Sequence, residues 1–252
     1  MPIGFVDTPE LVALDPDIVL AGGGQAVAAL KERTRTLPIV FVNVTDPVGG
    51  GYVASLARPG GNATGFMSSE FSLSGKLLEL LKQIAPHVMR VAVFRNTAIG
   101  TGTSQFAAIQ TVAPLLGVEV TALGLSDASE IERGIIAFAR GPNDGLIVAA
   151  GGVTQIQRDM FIRLAARHRL PTVYSARSFV TEGGLISYGS DPVAPYRLAA
   201  GYVDRILKGE KPADLPVQAP TRYETVLNMK TAKALGLDVP TAVRLRADEV
   251  IE

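Results

Sequence analysis

Apolar residues in this chain gather in short β-branched runs separated by amphipathic stretches. The runs are Asp17-Ile18-Val19-Leu20, Pro38-Ile39-Val40-Phe41-Val42, Val91-Ala92-Val93-Phe94, Val118-Glu119-Val120, Gly145-Leu146-Ile147-Val148 and Thr172-Val173-Tyr174. Most are apolar at consecutive positions rather than alternating, as strands covered on both faces of a parallel sheet must be. Between them, Leu77, Leu81 and Ile84 share one helical face. Phe106, Ile109, Ala113 and Leu116 do the same, followed by Ile131, Ile135 and Phe138, then Ile156, Met160 and Leu164. Asp127 and Thr154 stand ahead of two of these helices as candidate N-caps. Strand–helix alternation with short connections predicts an α/β fold of doubly wound parallel sheets with right-handed crossovers.

The pattern also half-repeats at a period of about 130 residues, too long for a solenoid. Asp17-Ile-Val-Leu-Ala-Gly22-Gly23-Gly24, a helix and Leu37-Pro38-Ile-Val-Phe-Val form the first copy. Asp144-Gly-Leu-Ile-Val-Ala-Ala-Gly151-Gly152, a helix and Leu170-Pro171-Thr-Val-Tyr form the second. A Gly-Gly pair then opens a further short strand in each, at Gly60-Gly61 and at Gly183-Gly184. Two similar α/β lobes account for this repetition. The tail adds a helix rich in Tyr196, Leu198, Tyr202, Val203, Ile206 and Leu207, then a proline-punctuated connector from Lys208 to Pro216. A strand follows at 223–228, and then a short helix at 229–235 stopped by Gly236.

Composition narrows the function. With 252 residues, 47% of them hydrophobic and 19% charged, the chain buries a sizeable core and is wrong for disorder. Its 24 basic and 24 acidic residues cancel, aromatics are only 6% and Trp is absent, which argues against a nucleic-acid partner. No cysteine is present, so disulfides, thiolate nucleophiles and Cys-ligated metals are excluded. No apolar run approaches the length of a membrane span, and the first residues, Met1-Pro2-Ile3-Gly4-Phe5-Val6-Asp7, lack the pattern of a signal peptide.

The chemical motifs are sparse. Gly22-Gly23-Gly24-Gln25-Ala26-Val27 follows a strand and opens a helix, but Val27 replaces the third glycine of a dinucleotide fingerprint. The next strand ends near Asn43 rather than in an acidic residue for a ribose. What survives is a helix start whose amides can hold a carboxylate or another acceptor, repeated at Gly151-Gly152. Gly75-Lys76 fails as a P-loop, since Glu70 and Leu77 stand where glycine and a hydroxyl are needed. His87 has no local acidic or nucleophilic neighbour, and His168, among Arg163, Arg167 and Arg169, suits a helix end. No catalytic residues, metal ligands or cofactor are expected.

A further set of motifs resembles a known family. Asp46-Pro47-Val48 and Leu56-Ala57-Arg58-Pro59-Gly60-Gly61-Asn62-Ala63-Thr64-Gly65 are similar to a signature of ABC-transporter substrate-binding proteins of the tryptophan- or aromatic-amino-acid-binding type. Gly183 to Gly189, Ala199 to Gly209, Lys211 to Val217 and Asn228 to Leu237 fit the same family in order. The resemblance implies a type I periplasmic-binding-protein fold with two α/β lobes, three hinge crossings and a small amphiphilic solute between them. On that template, residues 1–66 with 192–216 form the first lobe, and 67–191 with 217–252 the second. Crossings are expected near Gly65–Ser68, Gly189–Asp191 and Pro216–Arg222.

Ligands of open α/β sheets sit beyond the carboxyl ends of the strands. The expected pocket therefore takes Gly22, Gly23, Thr45, Asp46, Phe66 and Ser68 from the first lobe. From the second it takes Asn96, Thr103, Ser104, Gly151, Gly152, Tyr174, Ser175, Tyr188 and Asp191. Phe66, Tyr174 and Tyr188 can stack on a flat body, Thr103, Ser104 and helix-start amides can take a carboxylate, and Asp46 or Asp191 an ammonium. The alternatives are turn or N-cap duty for the two aspartates and strand core for the two tyrosines.

The resemblance implies an ABC permease and ATPase as partners and a periplasmic or cell-envelope location. Relatives also carry a first strand–helix–strand unit ahead of the region matching Leu11 to Asp17. An incomplete first lobe would leave the strand at 17–20 with an open edge, so a homodimer or domain swap is expected there. A ligand-sensing module of the same fold, or a small α/β enzyme, stands as the alternative function.

Overall fold

The computed structural model describes residues 8–94, 100–124, 127–149 and 152–252. They divide into two compact units, one reaching Glu70 and resuming over Pro192–Thr221, the other formed by Phe71–Asp191 and Arg222–Glu252. The first unit opens with α1 (Thr8–Ala13), β1 (Val19–Gly22), α2 (Gly23–Arg33), β2 (Ile39–Val44) and β3 (Ala63–Met67). The second runs through α3 (Gly75–Ile84), β4 (Arg90–Phe94), α4 (Gly100–Val112), β5 (Glu119–Leu123), α5 (Ala128–Phe138) and β6 (Asp144–Val148). It continues with α6 (Gly152–Ile156), α7 (Arg158–Arg167), β7 (Thr172–Tyr174), α8 (Arg177–Thr181) and β8 (Ile186–Gly189). The chain then returns to the first unit as α9 (Ala194–Leu207). It ends in the second as β9 (Glu224–Asn228), α10 (Met229–Leu235), α11 (Thr241–Arg246) and β10 (Glu249–Ile251).

In the first unit β1, β2 and β3 lie parallel in that order. β2 is apolar throughout because both its faces are covered. Ile39 and Phe41 join Val27 and Leu30 of α2 in one cluster. Val40 and Val42 join Ala199, Tyr202 and Ile206 of α9 in the other. The outer edge of β3 is occupied by Gln218, which bridges Phe66. The Met67 amide donates to the Gln218 carbonyl at 2.8 Å, which keeps this stretch in the first unit.

The second unit is a seven-stranded sheet in the order β10-β9-β8-β7-β6-β4-β5, parallel except where β9 runs against β8. Here too neighbours along a strand go to opposite faces. Val91 and Val93 pack with Leu78, Leu81 and Ile84 of α3. Ala92 and Phe94 pack with Ile131 and Ile135 of α5 and Phe161 of α7. The chain is thus an α/β fold of parallel sheets wound on both faces. The half-repeat is real in space: β1, β2, β3 and β6, β7, β8 are each three successive parallel neighbours.

Three local expectations are corrected. Asp127 caps α5, accepting from the Glu130 amide at 2.8 Å, whereas Thr154 lies inside α6, its hydroxyl directed 3.4 Å to the Ala149 carbonyl. The helix expected through Ile156, Met160 and Leu164 breaks at Gln157, so Ile156 is 81% exposed while Leu164 is buried. The helix expected through Leu116 ends at Val112, ahead of a 3₁₀ turn at Pro114–Leu116, since Pro114 has no amide to continue it. No helix among the described residues is long and apolar enough to cross a membrane.

Candidate functional site

The carboxyl ends of the first unit's strands form one polar rim. β1 ends in Gly22, the N-cap of α2, and no side chain caps that helix start. Two tyrosines flank it instead. A methyl group on Gly22 would stand 3.1 Å from the Tyr196 hydroxyl, and one on Gly24 3.2 Å from the Tyr52 hydroxyl. Next along the rim, β2 slips register against β3 between Phe41 and Val44, with Asn43 in the left-handed region at φ +57°. This bulge re-aims the chain into Thr45 and Asp46. The Asn43 side-chain amide donates to the Pro192 carbonyl at 3.0 Å, fixing the bend.

Thr45 and Ser68, at the ends of β2 and β3, are hydroxyl partners at 2.9 Å. Asp46 is buried and accepts from the Gly49 amide at 2.8 Å. Its carboxylate therefore caps the turn that leads through three glycines to Tyr52. Burial, and then the charge of Asp46, push the Tyr52 phenol above its ordinary pKa, so it stays a neutral hydroxyl. Phe66 points the other way. Its ring is 3% exposed and packs at 4.7 Å on Tyr202 of α9, inside the unit's own core.

The second unit has an equivalent rim at the carboxyl ends of β4, β6, β7 and β8. Asn96 and Gly151 lie outside the described residues. Thr103 and Ser104 sit in the second turn of α4, the first exposed and the second half-buried, and Gly152 begins α6. Tyr174 is 1% exposed and stacks on Phe179 at 4.7 Å and 17°, so its ring belongs to the core. The next residue, Ser175, is half-buried and its amide donates to the Val148 carbonyl at 3.1 Å. Tyr188 keeps part of its surface and stacks on Tyr223 at 5.5 Å and 18°. Burial chiefly raises its phenol pKa, with the charge of Asp248 adding and Lys76 opposing. Asp191 is exposed at the point where the chain leaves this unit.

Of the three rings expected to stack on a solute, Tyr188 is therefore the one with surface to offer. Reading the sequence missed Tyr52, Tyr196 and Tyr223. Tyr52 carried a usable signal, because it closes the Gly49-Gly50-Gly51 run that follows Asp46-Pro47 at a strand end. Tyr196 and Tyr223 belong to segments far along the chain, and only the tertiary fold brings them to these rims. Among the described residues no three His, Asp or Glu side chains converge on a metal-sized position.

The fold has counterparts in known proteins. The chain is 28% identical to the tyrosine-binding protein of Clostridioides difficile, over 99% of this chain and 70% of that one. A solved conserved domain protein from Vibrio cholerae superposes with a TM-score of 0.90 at 28% identity, covering 96% of this chain and 81% of that one. The ABC domain from Streptococcus pneumonia in complex with L-Trp superposes with a TM-score of 0.89 at 26% identity, covering 97% and 82%. The family model for ABC transporter substrate binding proteins matches residues 7–251. With nearly every described residue inside that match, the chain belongs to the ABC transporter substrate-binding protein family.

Proposed function

We propose that this substrate-binding protein captures an aromatic amino acid or a small aromatic acid. The observation that carries the reading is the tyrosine set at the two carboxyl-end rims: Tyr52 and Tyr196 beside the uncapped start of α2, and the Tyr188–Tyr223 stack. Two relatives bind such solutes, one named as tyrosine-binding and one solved with L-Trp. Hydroxyls and helix-start amides suit a carboxylate, and a stacked phenol pair suits a flat ring. In this reading Gly22, Gly23, Thr45 and Ser68 serve the first rim. Thr103, Ser104, Gly152, Ser175 and Asp191 serve the second. The core rings of Phe66 and Tyr174 act from behind.

The mechanism is capture and not turnover. The chain crosses between its two units after Glu70, Asp191 and Thr221, and crossings of this kind are the segments that flex when a solute is captured. Delivery is to an ABC permease driven by its ATPase, in the periplasm or cell envelope. The edge of β1, with Leu20 48% exposed, pairs with a second copy of the chain in this reading.

A thermal-shift panel of L-Tyr, L-Trp, L-Phe, L-Leu and benzoate tests the ligand class. A ligand at a hundred times its Kd raises stability by about 2.7 kcal/mol, roughly 5–10 °C for a chain of this size. An aromatic member should give that shift and be recovered chemically unchanged. No shift across the panel, or a larger one with L-Leu than with any aromatic, overturns the reading.

A further inference from the structure

The second unit holds a cavity of about 310 Å³ at the end of its sheet opposite the candidate rim. The end of α7, the starts of β7 and β8, and α10 surround it. Ile162, Leu170, Leu185 and Leu235 give it apolar walls, while Arg169 and Lys230 bring positive charge. Among the described residues no carboxylate lines it. Among the described residues neither cation forms an ion pair.

Arg169 is held there in an unusual way. After α7 the Arg169 amide donates to the Ala166 carbonyl at 3.1 Å and the Leu170 amide to the Ala165 carbonyl at 2.9 Å. That pair of bonds places Arg169 at the helix-terminating position where glycine is favoured, and its φ is +53°. A side chain is tolerated in this strained conformation only where something compensates it. The Arg169 guanidinium reaches to 4.0 Å from the position a Cβ on Gly236 would take, at the carboxyl end of α10. Two lining cations with no ion pair among the described residues, beside apolar walls, match an anion with a hydrocarbon body, and the volume suits a small one.

We propose that this cavity is a second binding site, separate from the solute rims, for a small amphiphilic carboxylate. Arg169 and Lys230 hold the carboxylate and the apolar wall takes the tail. The site stands independently of which solute the rims bind.

The test titrates sodium octanoate into the full chain while recording amide NMR signals, with octanol and inorganic phosphate as controls. Saturable shifts concentrated at Gly183, Thr231 and Leu235 are expected, with each control binding about tenfold more weakly or not at all. Arg169→Gly and Lys230→Gln should each weaken octanoate by about tenfold. Arg169→Gly should meanwhile keep or raise the melting temperature, because glycine relieves the left-handed strain. Scattered or absent octanoate shifts overturn the proposal, as does octanol or phosphate binding as tightly as octanoate. A fall in melting temperature for Arg169→Gly, with octanoate affinity intact, would show that Arg169 serves the end of α10 instead.

Discussion

Tyr174 shows how much a single position depends on what surrounds it. It closes the run Thr172-Val173-Tyr174, where a strand end and a core position look alike in sequence. The fold settles the matter by placing Phe179 against its ring and leaving it 1% exposed. Burial pushes its phenol well above the ordinary tyrosine pKa, an effect that the Thr172 hydroxyl only partly offsets. Below about pH 10 the phenol is neutral in the folded and unfolded chain alike. Above that pH the unfolded chain ionises first, so stability falls as the pH rises. Tyr174→Phe should flatten this loss in urea-unfolding series between about pH 9 and 11. An unchanged slope would mean that another group governs alkaline unfolding. Phe66 follows the same logic, since Tyr202, 136 positions later, determines where its ring goes. Close backbone approach decides two glycine positions. A Cβ on Gly65 would fall 2.0 Å from the Phe41 carbonyl, and one on Gly189 2.0 Å from that of Ser175.

Among elements, strands and helix faces were the most legible, because burial on both sides leaves a continuous apolar run and burial on one side leaves a 3.6-residue period. The break at Gln157 carried no such signal: the apolar spacing continues through it, and only the packing shows Ile156 leaving the face. The short terminal pieces α11 and β10 have too few residues to establish a period. β1 raises a different matter, since among the described residues it has a partner strand on one side only and exposes Leu20. Leu20→Lys should leave a dimer-forming chain monomeric in size-exclusion chromatography, as charge on an edge strand opposes pairing. A wild-type chain that elutes as a monomer at high concentration would remove the basis for that pairing.

At the scale of the molecule, neither unit is contiguous in sequence. The first lacks one covering layer of its sheet until α9 is in place, because Val40, Val42 and Phe66 pack on Ala199, Tyr202 and Ile206. The second needs β9, which supplies Val226 to one face of its sheet and Leu227 to the other. A chain ended after Asp191 should therefore bind 8-anilinonaphthalene-1-sulfonate and show little cooperativity in thermal unfolding. Native-like melting of that fragment would show that the early segments suffice. Because both cores wait for their last strands and helices, an emerging chain spends its synthesis without a finished unit.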